Sequence, residues 1–145
     1  VLTPYKIIKE IVSLQNFPEI RVVVLTSPAA TKVVNDQPFM YHANKAALAN
    51  LVRYCAVQYA NSGLLINAVA PGSFVQKERS RLFYENNPEI TNKIQTNIPG
   101  SKFTKPEDIA NYVNYLFLRA PNSINGTEVV LDSGLTLIEQ SNFLR

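Results

Sequence analysis

Three short apolar runs, set between helical patterns, constrain this chain more than anything else in it. "RVVVLTS" (Arg21 to Ser27) and "LLINAVAPG" (Leu64 to Gly72) are rich in β-branched and aliphatic residues, with almost no polar alternation. Runs of this kind read as strands buried on both faces, the mark of a parallel sheet. "GTEVVLDSG" (Gly126 to Gly134) is a third strand. Before and between them, apolar residues recur at helical spacing. Ile7, Ile8, Ile11 and Val12 do so within Leu2 to Leu14, and a long helix is expected from Tyr41 to Tyr59. "TKPEDIANYVNYLFL" (Thr104 to Leu118) opens on a capping box of Thr104 and Glu107, with Pro106 in the first turn, where its missing N–H does no harm. "NFPE" (Asn16 to Glu19) reads as a turn and Pro28 to Phe39 as a loop. An order of helix, strand, helix, strand, helix, strand predicts an α/β architecture, its parallel strands joined by right-handed helical crossovers.

Three parallel strands make a small sheet, and its open edge would be apolar and unpaired. Either another chain covers it or these are the later strands of a longer protein. The five glycines (Gly63, Gly72, Gly100, Gly126, Gly134) are scattered, and none forms the strand, glycine turn and helix that hold a pyrophosphate. At 145 residues, with 46% hydrophobic and 17% charged, the chain suits one domain or a substantial piece of one. The net charge of +3 is dispersed; "KERSR" (Lys77 to Arg81) and "KFTK" (Lys102 to Lys105) each lie beside acids, so nucleic acid is not an expected partner. A single Cys55 and a single His42 leave no disulfide framework and no cysteine- or histidine-rich metal site, and no metal is expected. No apolar run has the length of a membrane span, and the N-terminus resembles neither a signal nor a transit peptide. A soluble, cytoplasmic protein is the expectation.

Chemistry enters at "MYHANKAALANLV" (Met40 to Val52), which sets Tyr41 and Lys45 one helical turn apart on one face. A tyrosine hydroxyl ordinarily titrates near pH ~10, too high for a base near neutrality. A nearby ammonium favours the phenolate. The pair is thus a sensible acid–base device, and equally an ordinary helix start. An α/β sheet gathers functional groups at the carboxyl ends of its strands. Thr26 and Ser27 end the first strand and Pro71-Gly72-Ser73 the second, and the helix between them starts at Tyr41. A strand-end hydroxyl, the tyrosine and the lysine can therefore face one crevice.

Five segments in this order resemble the C-terminal half of the short-chain dehydrogenase/reductases. "VVVLTS" is similar to the family's strand ending in a catalytic serine, "YHANKAAL" to its Tyr-x-x-x-Lys helix and "INAVAPG" to its Asn-x-(Val/Ala)-x-Pro-Gly strand. "KPEDIANYVNYLFL" resembles its Pro-Glu-(Asp/Glu)-(Ile/Val)-Ala helix, and "INGTEVVLDSGLTL" its closing Asp-Gly-Gly segment. The resemblance implies a Rossmann-like, doubly wound sheet, one partial domain over residues 1–145, lacking the N-terminal nucleotide-binding units. It implies reversible carbonyl reduction or alcohol oxidation with NAD or NADP, on a small-molecule substrate such as a 3-oxoacyl thioester. Tyr41 would exchange a proton with the substrate oxygen. Lys45 would tune the tyrosine and bind the nicotinamide ribose, and Ser27, with Thr26 as rival, would orient the substrate oxygen. Pro71, Gly72 and Phe74 would line the nicotinamide, and Gln76 stands where many members carry a threonine that contacts the cofactor amide.

Two further departures come from the same resemblance, and the remaining readings from the residues themselves. "DSG" replaces Asp-Gly-Gly, and the family's relay asparagine would fall just before Val1. Asn67 is expected to be a structural hydrogen-bonder, Cys55 a small core residue and His42 a solvated helix-start residue. Tyr54, Tyr59, Tyr112 and Tyr115 read as packing residues with polar tips. Residues 73–100 are expected to hold one or two short helices and to act as a substrate-facing lid with Phe74, Leu82, Phe83 and Ile90 as apolar anchors. A second apolar stripe on the long helix (Ala43, Ala47, Leu51, Tyr54) suggests a homo-oligomer. The missing N-terminal half is expected in cis or in trans. The rival reading is a non-catalytic subunit that keeps the fold and supplies an assembly or binding surface.

Overall fold

The three apolar runs form one parallel sheet in the order β1-β2-β3, in a computed structural model that describes residues 1–14, 17–72, 75 and 78–139. The strands are β1 (Ile20–Leu25), β2 (Leu64–Pro71) and β3 (Glu128–Leu131); the helices are α1 (Leu2–Ser13), α2 (Phe39–Gln58), α3 (Glu78–Asn86), α4 (Pro88–Asn97) and α5 (Pro106–Leu118). Val22 pairs with Ile66 and Val69 with Val129, so the register carries one alternation across all three strands.

That alternation divides the core in two. Leu64, Ile66 and Ala68, with Ile20, Val22 and Val24, face α1 and α2 and pack on Ile8, Val12, Val52 and the fully buried Cys55. Val69, Val23 and Leu131 point the other way, onto Leu116, Ile109 and Tyr112 of α5. The sheet is therefore doubly wound, as expected. Burial pushes the Cys55 thiol up from its usual pKa, in keeping with an inert core residue.

Three expectations need correction. The two crossovers step in the same direction along the sheet, yet α2 and α5 cover opposite faces, so they have opposite hands and only one is right-handed. The right-handed rule rests on one helix leading directly back to the next strand. Here the second connection first runs through α3 and α4, which carries the chain round the end of the sheet before α5 begins. Burial on both faces holds for β2 but not for β1, whose Leu25 is 52% exposed at the edge of the sheet. Leu51 does not belong to an outward stripe: it lies 8% exposed in the core beneath α2, while Ala46, Asn50, Tyr54 and Val57 face outward.

Local chemistry fixes the connections. Gly63 takes φ +76°, and a Cβ there would sit 2.6 Å from the Pro18 carbonyl oxygen, so the tight turn into β2 requires glycine. Asn67, 5% exposed, donates through Nδ2 to the Ile124 carbonyl and accepts from the Thr127 N–H and hydroxyl, which makes it the structural hydrogen-bonder expected. Asn125, unremarked in the sequence, accepts from the Ile66 N–H at 2.8 Å and so fastens the approach to β3. The helix cap of α5 is displaced by one residue: Lys105 is the N-cap, and its N–H donates to Asp108 Oδ2 at 2.9 Å. Thr104 is drawn inward, where its hydroxyl donates to the Leu131 carbonyl, and cannot cap. Among the described residues, no helix is long and apolar enough to cross a membrane.

Candidate active site

A cleft of about 600 Å³ opens at the carboxyl ends of β1 and β2. Its floor is Leu25, Thr26 and Ser27 from the end of β1, and Pro71 and Gly72 from the end of β2. Tyr41 and Lys45, one turn apart on α2, form one wall; Val34, Asp36 and Gln37 of the preceding connection form the next. Tyr84 of α3 and Ile109 of α5 close the far side. The fold thus brings Ser27, Tyr41, Lys45, Pro71 and Gly72 together at one place. Phe74 and Gln76 lie outside the described residues.

Each polar group has a defined setting. Lys45 Nζ donates to the Leu25 carbonyl at 3.0 Å and stands 5.7 Å from the centre of the Tyr41 ring, within reach of a cation–π contact. That carbonyl terminates the edge strand, so the lysine is steered across the cleft floor from a fixed point. Ser27 sits with extended backbone (φ −167°, ψ 152°) and caps the turn at Pro28–Ala30, its Oγ accepting from the Ala29 N–H at 3.2 Å. An oxygen that accepts there keeps its own O–H to donate to a ligand. Thr26 differs: it is 3% exposed, and its hydroxyl donates to Glu128 Oε1 at 2.5 Å across the face of β2. Glu128 is held in turn by Arg53 at 3.6 Å. The Thr26 hydroxyl is thereby committed to the interior, whereas that of Ser27 remains at the cleft.

Gly72 is the close-approach point of the floor. A Cβ there would fall 2.6 Å from Asp132 Cβ, and its N–H donates to the Leu131 carbonyl at 2.9 Å. Asp132 itself accepts from the N–H groups of Gly134 and Thr136. Between Asp132 and Gly134, Ser133 takes φ +58°, so the serine that departs from Asp-Gly-Gly adopts the left-handed backbone that glycine would hold without strain.

His42 is not a solvated helix-start residue. It is only partly exposed, and its ring bridges the cleft wall and the helix: Nε2 accepts from the Val34 N–H at 2.9 Å, and Nδ1 lies 3.1 Å from the Pro38 carbonyl. Nothing in the sequence gave this away, because the partner is a backbone N–H eight residues upstream in a segment without periodicity. Over the cleft, α3 and α4 are tied by the Thr91 hydroxyl, which donates to the Tyr84 carbonyl at 2.8 Å, and the Tyr84 ring packs tilted by 35° against Phe103 with ring centres 4.9 Å apart. Leu82, Phe83 and Ile90 are exposed, so Tyr84 rather than these three seats the pair of helices.

Comparison with known proteins sets this geometry in a family. A family model described as enoyl-(acyl carrier protein) reductase matches residues 3–136. A glucose 1-dehydrogenase of Gluconobacter oxydans is 33% identical over 97 residues, 67% of this chain and 36% of that protein. A 3-oxoacyl-[acyl-carrier-protein] reductase of Rickettsia bellii is 33% identical over 98 residues, 68% of this chain and 39% of that one. The crystal structure of a Burkholderia thailandensis oxidoreductase of the short-chain dehydrogenase/reductase family superposes with a TM-score of 0.77 at 22% identity, over 93% of this chain and 54% of that one. A 4-hydroxyisoleucine dehydrogenase mutant complexed with NADH and succinate gives 0.78 at 21%, over 96% and 55%. At these identities the two structures speak for the fold. The chain spans less than half the length of the curated relatives it matches. A family model that runs over nearly the whole sequence, and a parallel doubly wound sheet shared with solved members, place the chain in the short-chain dehydrogenase/reductase family.

Proposed function

We propose that this chain carries the chemical half of an NAD(P)(H)-dependent oxidoreductase that interconverts a carbonyl and an alcohol at the cleft of Ser27, Tyr41 and Lys45. The observation that carries the reading is their shared cleft: two hydroxyls and an ammonium gather at the strand ends, where α/β proteins bind ligands. This donor set suits the nicotinamide and ribose end of a dinucleotide, with Lys45 for the ribose hydroxyls and Pro71 and Gly72 beside the ring. When bound, the cofactor supplies or accepts the hydride. The chain's own residues do the remainder. The Ser27 O–H orients the reacting oxygen, Tyr41 gives it a proton or takes one, and Lys45 places positive charge beside the tyrosine, a division that follows general acid–base logic. No glycine turn for the pyrophosphate is encoded among the five glycines, so that end of the cofactor is assigned to another segment, in cis or in trans. The names of the relatives point to 3-oxoacyl thioesters and sugars as the first substrates to try.

The pair α3 and α4 would serve as a moving cover, because among the described residues only Ser80 and Tyr84 of it line the cleft and much of its apolar surface is exposed. Amide exchange is expected to be faster there than in β2 without ligand and to slow on cofactor addition; protection equal to the strand's at all times would remove the cover from the reading.

The reading itself is tested by supplying the complete protein with NADH or NADPH and either acetoacetyl-CoA or D-glucono-1,5-lactone. Oxidation of one nucleotide with one of these carbonyls is the expected result. Absence of turnover together with absence of nucleotide binding would reject it in favour of an assembly subunit.

A further inference from the structure

We propose that His42 is a positioning residue that sets the wall of the cleft opposite the strand ends, through the backbone of Val34. The inference rests on the reading of the cleft as a catalytic site, and it concerns a residue that takes no part in the chemistry. The N–H of Val34 donates to His42 Nε2 at 2.9 Å, and its carbonyl accepts from the Gln37 N–H at 3.0 Å. The two peptide groups that flank Val34 therefore link the imidazole to the turn that presents Val34, Asp36 and Gln37 to the cleft. Because Nε2 accepts, a neutral ring must carry its proton on Nδ1, which donates to the Pro38 carbonyl at 3.1 Å. Pro38 is the N-cap of α2 and provides no side-chain cap, so the same ring also secures the helix turn that bears Tyr41. Both contacts end on backbone atoms of a connection with no strand or α-helix of its own. The ring thus adds a side-chain tie to the backbone bond from the Tyr41 N–H to the Pro38 carbonyl at 2.9 Å.

The device works in one protonation state. An imidazolium has donors on both nitrogens and cannot accept from Val34. The Tyr41 ring stands edge-on to the imidazole, centroids 6.2 Å apart, and Lys32, Asp36 and Lys45 are the charged residues of the same connection and helix start.

The test compares His42→Leu with His42→Gln, whose side-chain oxygen can still accept from Val34 but does not titrate. The first measurement is the exchange of the Val34 amide, referred to its intrinsic rate. Wild type should protect it. His42→Leu should lose that protection by on the order of tenfold, and His42→Gln should retain it. In turnover with acetoacetyl-CoA and NADPH, His42→Leu should raise KM by on the order of tenfold with kcat nearly unchanged, and His42→Gln should restore it. Val34 protection in His42→Leu equal to wild type, or a glutamine variant that behaves like leucine, would overturn the proposal. If His42→Leu does not fold, the glutamine variant decides alone: retained protection supports the proposal, and lost protection refutes it. A wild type without turnover would count against the catalytic reading, while the Val34 amide would still report on His42.

Discussion

Replacing Tyr41 by Phe is expected to lower kcat by about a hundred- to ten-thousand-fold, the usual contribution of a general acid or base, while leaving thermal unfolding almost unmoved. The change deletes one oxygen at the mouth of a cleft. Among the described residues, the Tyr41 hydroxyl is not one of the groups that tie the sheet, α2 and the connection together, whereas its ring, left in place, keeps its edge-on contact with His42 and its position beside Lys45. Activity and stability should thus separate. Steady-state turnover and calorimetry on the same preparation check this: a loss of kcat below tenfold would remove Tyr41 from the chemistry, and a parallel loss of stability would turn it into a packing residue.

The largest effect on stability is expected at Arg21, far from the cleft. Its guanidinium reaches from the edge strand β1 to the end of α5, donating to the Leu116 carbonyl at 3.0 Å, the Ala120 carbonyl at 2.8 Å and Asn122 Oδ1 at 2.9 Å. The last turn of α5 has no basic residue of its own, so a charge that offsets the carbonyls at its end comes from another element. Nε donates to Glu19 at 2.6 Å, and this hydrogen bond holds the Glu19 carboxyl below its usual pKa. Arg21→Met keeps the aliphatic stem but leaves Leu116 and Ala120, both nearly buried, without these donors. A loss of about 2–3 kcal/mol follows from hydrogen bonds to a charged donor, and a fall in Tm of roughly 5–10 °C. The Glu19 contact has a sign of its own. A carboxyl whose pKa is lowered on folding stabilises above its unfolded pKa, and that share fades as pH falls through the folded value. Chemical unfolding of the variant checks the whole; a change under about half a kcal/mol would mean that water caps α5 as well as arginine does.

Arg21 also shows where sequence reading stops. Its neighbours made "RVVVLTS" legible as a strand, since β-branched residues without polar alternation leave few other choices. The arginine that begins the run carried no local signal of its role, because its partners lie 95 and 99 residues away. The hand of the second crossover was hidden for the same kind of reason: the rule concerns a direct return, and the detour through α3 and α4 is a matter of path, not of local pattern. Leu51 was misplaced because α2 is apolar on more than one side, and periodicity alone does not say which side meets the sheet. Thr104 failed as a cap because a hydrogen bond to β3 competes for its hydroxyl.

The cleft was more legible than its walls. Ser27, Tyr41, Lys45, Pro71 and Gly72 could be gathered from two strand ends and a helix start, positions that an α/β order fixes in advance. His42 could not, since its two partners are backbone atoms and carry no side-chain signature. The choice between Thr26 and Ser27 also needed coordinates: adjacent hydroxyls at a strand end point to opposite sides, and only contacts tell which one meets Glu128.

The central claim is that hydride moves at this cleft while Tyr41 handles the proton. Single-turnover transfer from NADPH deuterated on either face of C4 to acetoacetyl-CoA, or to whichever carbonyl supports turnover, tests it most directly, in wild type and in Tyr41→Phe. The account predicts one deuterium on the former carbonyl carbon of the wild-type product from one of the two deuterated faces, and a rate at least about a hundredfold lower without the tyrosine hydroxyl. Deuterium delivered at the same rate by Tyr41→Phe, or a reduced product that carries none from either face, would contradict it.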